Sequence, residues 1–193
     1  MAKCLDLSKA EMHYYAANIT KAVIQQGASF GAFDTETNQI CGLAFGELGN
    51  YTYPEFEEKP KSLKIQYLLR LEDYLESNLK DDLGTSNYLI ADPIVVVPKY
   101  SNRRIATKIL YRQLQFCVDR GIELSVGFAT SVKALSIDAR MGYKCKKKYD
   151  MLSYRDRCTG KAVFAKAELK DNCIHLMYKC VEDYKKEQSN SRL

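Results

Sequence analysis

The sequence predicts an α/β protein: a mixed central sheet with flanking helices. Three observations carry that expectation. Apolar, β-branched runs at 89–97 and 122–128 alternate with helical periodicities over 62–79, 105–117 and 131–141. The run 89–97 stops at Pro98, and a basic turn from Lys99 to Arg104 leads directly into the helical pattern that starts at Ile105. No apolar run approaches ~18 residues, so no membrane span is expected.

Taken in order, Ser8 is an N-cap and Glu11, three residues on, completes a capping box. Met12, Tyr15, Ala16, Ile19 and Val23 then recur on one helical face until Gly27. Residues 28–33 read as a strand, 34–38 as a hairpin turn and 39–48 as the returning strand. Gly42 and Gly46 mark a bulge or a close ligand approach. The loop 49–61 mixes Tyr51, Tyr53 and Phe56 with Glu55, Glu57 and Glu58, a composition suited to an amine pocket or to plain surface.

A helix over 62–79 places Leu68, Leu71, Leu75 and Leu79 on a core stripe, and 80–86 is a polar linker. The strand 89–97 follows. Ala106, Ile109, Leu110, Leu114 and Cys117 form the buried stripe of the next helix, which Gly121 ends. Then come a strand at 122–128, a short helix at 131–141, a strand at 144–154, a turn at 155–160 and a last strand at 172–181. Residues 1–181 therefore form a single domain, and 182–193 a polar tail, frayed or helical at the surface.

Composition narrows the chemistry. With 46% apolar and 27% charged residues in 193, the chain is an ordinary soluble domain of one core. Its seven cysteines are scattered, without paired metal-ligand spacing, and only His13 and His175 could activate a thiol. That fits a reducing compartment, and a cytoplasmic protein is expected. The net charge of +5 is concentrated. Lys99, Arg103, Arg104, Lys108 and Arg112 fall between 98 and 112 without an acid, and Lys144, Lys146, Lys147 and Lys148 make a second cluster. No nucleic-acid motif accompanies them, so a local phosphate ligand is the more economical partner. A strand, a turn and a helix N-terminus form an anion site, because the first N–H groups of a helix lack intrahelical partners and its dipole favours negative charge.

At these residues the sequence resembles the GNAT superfamily of N-acetyltransferases. The family turn runs Arg or Gln, two residues, Gly, one residue, then Gly or Ala. Here it is Ser101-Asn102-Arg103-Arg104-Ile105-Ala106, preceded by Val97-Pro98-Lys99-Tyr100. A second family motif corresponds to Ser131, Ala134, Ile137, Asp138, Gly142 and Tyr143. Within the superfamily the chain looks most like the invertebrate arylalkylamine N-acetyltransferases. The shared features are a helix near Leu63–Leu79, the Thr130-Ser131 pair, and the ending Tyr154-Arg155-Asp156 to Gly160-Lys161-Ala162-Val163-Phe164.

The resemblance implies a sheet splayed around a cofactor strand and direct acetyl transfer from acetyl-CoA to a small-molecule amine, an arylalkylamine or a polyamine, without a metal. Backbone groups of Val95 and Val97 would pair with the pantetheine arm. Amides of Ser101, Asn102, Arg103, Arg104, Ile105, Ala106 and Thr107 would hold the pyrophosphate, with Ser131, Lys133 and Ala134 on the cofactor's other side. A backbone N–H at the splay would polarise the thioester carbonyl.

The chain departs from the family pattern at Ser101, at Arg104 in the glycine position, and at Asp138 in place of the thiolate-protonating Tyr. The Glu-Pro pair that carries the arylalkylamine base precedes a segment similar to 2–8. With Met1 as the first residue, that Glu and the usual first strand are expected to be absent, through truncation, a short isoform or divergence. Glu47 and Asp92 are then the substitute catalytic carboxylates, with Ser131 beside them. Tyr149 and Tyr154 are thiolate donors or strand packing. A monomer or a homodimer is expected. Two further readings stay open: a GNAT-fold binding or regulatory protein with weak or lost catalysis, and a protein-lysine acetyltransferase.

Overall fold

Two sheets share the framework of the computed structural model, which describes residues 1, 3–50 and 60–190. The elements run α1 Lys9–Ile24, β1 Phe30–Phe33, β2 Ile40–Ala44, β3 Glu47–Leu48, α2 Leu63–Glu76, α3 Leu79–Leu83, β4 Tyr88–Ile90 and β5 Ile94–Val96. They continue with α4 Ile105–Arg120, β6 Leu124–Ala129, α5 Val132–Arg140, β7 Lys144–Asp150, β8 Cys173–Cys180 and α6 Val181–Asn190. One sheet has the order β1-β2-β5 and the other β3-β4-β6-β8-β7, with β4 and β6 parallel.

Two expected strands are each interrupted, and the interruptions lie side by side. The 39–48 strand breaks at Phe45-Gly46, where a side chain on Gly46 would come within 2.1 Å of the Ala28 carbonyl oxygen. The 89–97 strand breaks at 91–93, with a cis peptide between Asp92 and Pro93. Proline has no N–H to give to a ladder, so pairing changes partner there. Gly42 meets α4: an added Cβ would sit 2.8 Å from Ile105 Cγ2 and 3.2 Å from Val95 O.

The helices cover both faces. On one face α2 buries Tyr67, Leu68, Leu71 and Leu75 against Phe128, Tyr149, Ile174 and Leu176 of the large sheet. On the other, α4 buries Leu110, Leu114 and Cys117 with Leu89, Met177 and residues of α6. The Ser8–Glu11 capping box forms as expected.

Two segments are more ordered than expected. The 80–86 linker begins with α3, anchored by buried Leu79 and stopped by Gly84 in the left-handed region at φ 76°. The polar tail opens with α6, whose Val181 and Tyr184, three apart, lie on the core side. Lys179 Nζ, itself buried, reaches both carboxylate oxygens of Glu187 at 2.8 Å and fixes the helix to β8. Because Tyr184 fills a closed core position, Tyr184→Ala is expected to lower the unfolding free energy by about 3 kcal/mol, measured by chemical denaturation.

Candidate active site

The partner change at 91–93 opens the sheet. The Ala91 N–H donates to Val126 O at 2.8 Å, and β4 and β6 are in register up to Ile90 and Val126. Past that point Gly127, Phe128 and Ala129 stay in register with β8, while β5 pairs with β2. The space between β5 and the far half of β6 is the splay.

The register decides which groups face it. Val97 N–H donates to Cys41 O, Pro93 O accepts from Phe45 N–H, and Val95 stands opposite Leu43. Alternation along an antiparallel ladder then turns the backbone groups of Ile94 and Val96 away from β2, toward the splay. The assignment of that edge to Val95 and Val97 is therefore corrected to their neighbours. The Val97 carbonyl also accepts from the Tyr100 N–H at 2.9 Å, closing the turn that follows.

That turn delivers the chain to the start of α4. Pro98–Tyr100 form a 3₁₀ turn, Asn102 has φ 64°, and Arg104 caps α4 at φ 58°, ψ 24°. The left-handed region costs a non-glycine residue roughly 1–2 kcal/mol. The glycine usual at this position thus serves the backbone as well as the approach to phosphate, and Arg104 adopts the same conformation under strain. The helix ladder begins with Lys108 N–H donating to Arg104 O at 3.0 Å, which leaves the N–H groups of Ile105, Ala106 and Thr107 directed out of the helix end. The guanidinium of Arg103 lies 5.3 Å from the Tyr100 ring centre, and the Tyr100 hydroxyl donates to Asp34 at 2.7 Å. Ser101 to Arg104 are exposed, and a cleft of about 430 Å³ between them and the β1–β2 hairpin is lined by Phe33, Asp34, Arg103 and Lys108.

Carboxyl groups from four elements influence one another around the other end of the splay. Glu47 opens β3, Glu72 and Glu76 stand one turn apart on α2, Asp92 precedes the cis proline, and Asp138 lies on α5. Burial, then the charges of Glu76, Glu72 and Asp92, pushes Glu47 up to about 8. Burial and the charges of Glu76 and Asp138 push Asp92 up to about 7. Burial alone raises Asp138 to about 6. Glu72 is raised by burial and by Glu76, Asp92 and Asp73, against the hydrogen bond it accepts from the Tyr15 hydroxyl of α1. Glu76 is shifted upward as well but is exposed, so solvent screens it most. Among the described residues no lysine or arginine forms an ion pair with Glu72, Glu76, Asp92 or Asp138. A cluster of half-buried carboxyls raised in this way favours a cationic guest.

No family model matches the chain, and no curated protein matches it. Solved structures do. The C-terminal condensation domain of Ebony, in complex with beta-alanyl-dopamine, superposes with a TM-score of 0.75 at 18% identity, over 93% of this chain and 85% of that one. Arylalkylamine N-acetyltransferase 2 from Aedes aegypti gives 0.70 at 17% identity, over 93% and 86%. The polyamine N-acetyltransferase of Drosophila melanogaster, which forms N-acetylagmatine, gives 0.60 at 16%, over 89% and 80%. The chain has the GNAT fold.

On this GNAT fold the expected residues divide into groups. Glu47 and Asp92 do come together, although they are far apart in sequence. Glu72 and Glu76 were missed. Their signal was an i, i+4 pair of acids bordering the leucine stripe, with no base three or four residues from Glu72. Ser131 is the N-cap of α5, its Oγ accepting from the Ala134 N–H at 3.1 Å, while Lys133 is exposed and Ala134 packs on the α4-side core.

Tyr149 donates to Leu75 O, and Tyr154 packs on Tyr74 and Phe164, so both belong to the core. His175 is buried in β8, 4.0 Å from Cys145 Sγ, with its pKa lowered first by burial. Three of the four lysines of β7 meet acids: Lys144 with Asp183, Lys147 with Asp82 and Lys148 with Asp171. Tyr51, Tyr53, Phe56, Glu55, Glu57 and Glu58 lie outside the described residues.

The carboxyls carry a stability consequence. Each keeps its proton to a higher pH when folded than its ordinary value of 3.8 or 4.5, so between about pH 4 and pH 8 the folded chain binds more protons than the unfolded one. Stability therefore falls as pH rises through that window. Calorimetry is expected to show a lower Tm near pH 8 than near pH 5, and Glu47→Gln is expected to flatten the decline.

Proposed function

We propose that this protein is an acyltransferase that moves the acetyl group of acetyl-CoA directly to a small-molecule amine, an arylalkylamine or a polyamine. The observation that carries this reading is the splay, with an anion-receiving helix start at one end and carboxyls at the other. The residues at the first end fit a CoA thioester. The N–H groups of Ile105, Ala106 and Thr107, with the α4 dipole and Arg103, suit a pyrophosphate. The backbone edge of Ile94 and Val96 suits the amide groups of a pantetheine arm.

Acetyl-CoA, when bound, supplies the activated thioester; the protein supplies placement and proton handling. Holding amine and thioester together is worth roughly 7–11 kcal/mol of the barrier. An amine arrives as an ammonium and must lose a proton before it attacks. Glu47 and Asp92 attract that cation and lie among the groups able to take its proton. As the new C–N bond forms and the C–S bond breaks, the leaving sulfur needs a proton back. Asp138, raised to about 6, keeps a protonated fraction near neutrality that a normal aspartate lacks.

Arg104 and Asp138 also leave room for a protein that binds the cofactor without turning it over. One experiment separates the readings. Acetyl-CoA at millimolar concentration is expected to raise Tm, since ligand at a hundred times its Kd adds about 2.7 kcal/mol. A panel of arylalkylamines, polyamines and a lysine peptide is then expected to release CoA thiol fastest with a free amine. No thermal shift at millimolar acetyl-CoA would overturn cofactor binding, and a shift without thiol release would assign the chain to the binding class. Arg103→Ala is expected to weaken acetyl-CoA about tenfold, the worth of one charged hydrogen bond, read by calorimetric titration.

A further inference from the structure

Tyr15 crosses from α1 to give its hydroxyl proton to Glu72 Oε1 on α2, a contact spanning 57 residues of sequence. Glu72 Oε2 has no protein partner among the described residues. One carboxylate oxygen is thus held and the other left available, the arrangement by which a third group orients a base. We propose that Glu72 is the group that takes the proton from the incoming ammonium, and that Tyr15 is the positioning residue that holds its carboxylate in place and in the charged form. This rests on the acyl-transfer reading above.

The surroundings explain why such a partner is needed. From α2 itself, Glu76 and Asp73 face Glu72; Asp92 faces it from the 91–93 bend and Glu47 from β3. All are acidic, and together with burial they favour the neutral carboxyl, which is no base at all. The Tyr15 hydroxyl is the one opposing contact, because a hydrogen bond donated to the charged form favours that form. Tyr15 cannot lose its own proton in the working range, since burial and then Glu72, Asp92 and Glu47 push its pKa upward. It therefore stays a donor at every relevant pH. The balance leaves Glu72 at about 8, within reach of neutrality, where a general base is effective. Asp92 accepts no side-chain hydrogen bond of this kind among the described residues, so Glu72 is the better-oriented base of the two.

The test compares the pH dependence of kcat, at saturating acetyl-CoA with the amine turned over fastest, for the wild type, Tyr15→Phe and Glu72→Gln. Loss of the hydroxyl is expected to move the acidic limb of the Tyr15→Phe profile to higher pH by about one unit, a tenfold loss near pH 7. The rate recovers above the limb. A merely structural role would lower the whole profile without moving the limb. Glu72→Gln is expected to lose roughly 10²–10⁴-fold in kcat.

An unmoved limb in Tyr15→Phe, or wild-type kcat in Glu72→Gln, overturns the proposal while leaving wild-type acetylation intact. If the wild type acetylates no amine, the acyl-transfer reading fails, and the proton role falls with it. The Tyr15–Glu72 coupling is still decided by titrating the ¹³C-labelled Glu72 carboxyl by NMR: an unchanged midpoint in Tyr15→Phe overturns the coupling.

Discussion

Parallel pairing between β4 and β6 ends where the Ala91 N–H meets Val126 O, and from there the chain turns so that β5 can pair with β2 instead. The site depends on that change of partner. A continuous ladder would carry the pairing on past Ile90 and Val126 and close the sheet. Because Pro93 cannot donate and Gly46 admits the close passage of Ala28, both strands break at the same level. The gap belongs to the folded framework.

The gap is electrically polarised along its length. One end presents helix N–H groups and the arginines of the turn; the other presents carboxyls that burial and mutual repulsion hold partly neutral. Gathering those carboxyls works against folding, and the two apolar cores on either face of the sheet offset it. A cation placed at that end would relieve the repulsion among these carboxyls.

Much of this was legible in the sequence. The capping box at Ser8 and the stripes of α2 and α4 are local periodic signals that form, although the helix read over 62–79 ends at Glu76 and Leu79 opens α3 instead. The strand-turn-helix around Pro98 was legible for the same reason. Three things were not. The direction of the Ile94 and Val96 backbone groups depends on register against β2, which no local pattern encodes. The order in α6 comes from Val181 and Tyr184 meeting a core assembled from distant segments. The carboxyl group was half visible: Glu47 and Asp92 drew notice by position, whereas the role of Glu72 depends on α1 lying across it, a long-range contact that no local pattern encodes.

The contact between Gly42 and Ile105 has a geometric consequence. With no side chain on Gly42, the first turn of α4 sits directly on β2, which is itself paired to β5. The strand edge and the helix start therefore form one rigid block. Any molecule bridging the two would meet a set distance, fixed by how closely α4 packs on β2.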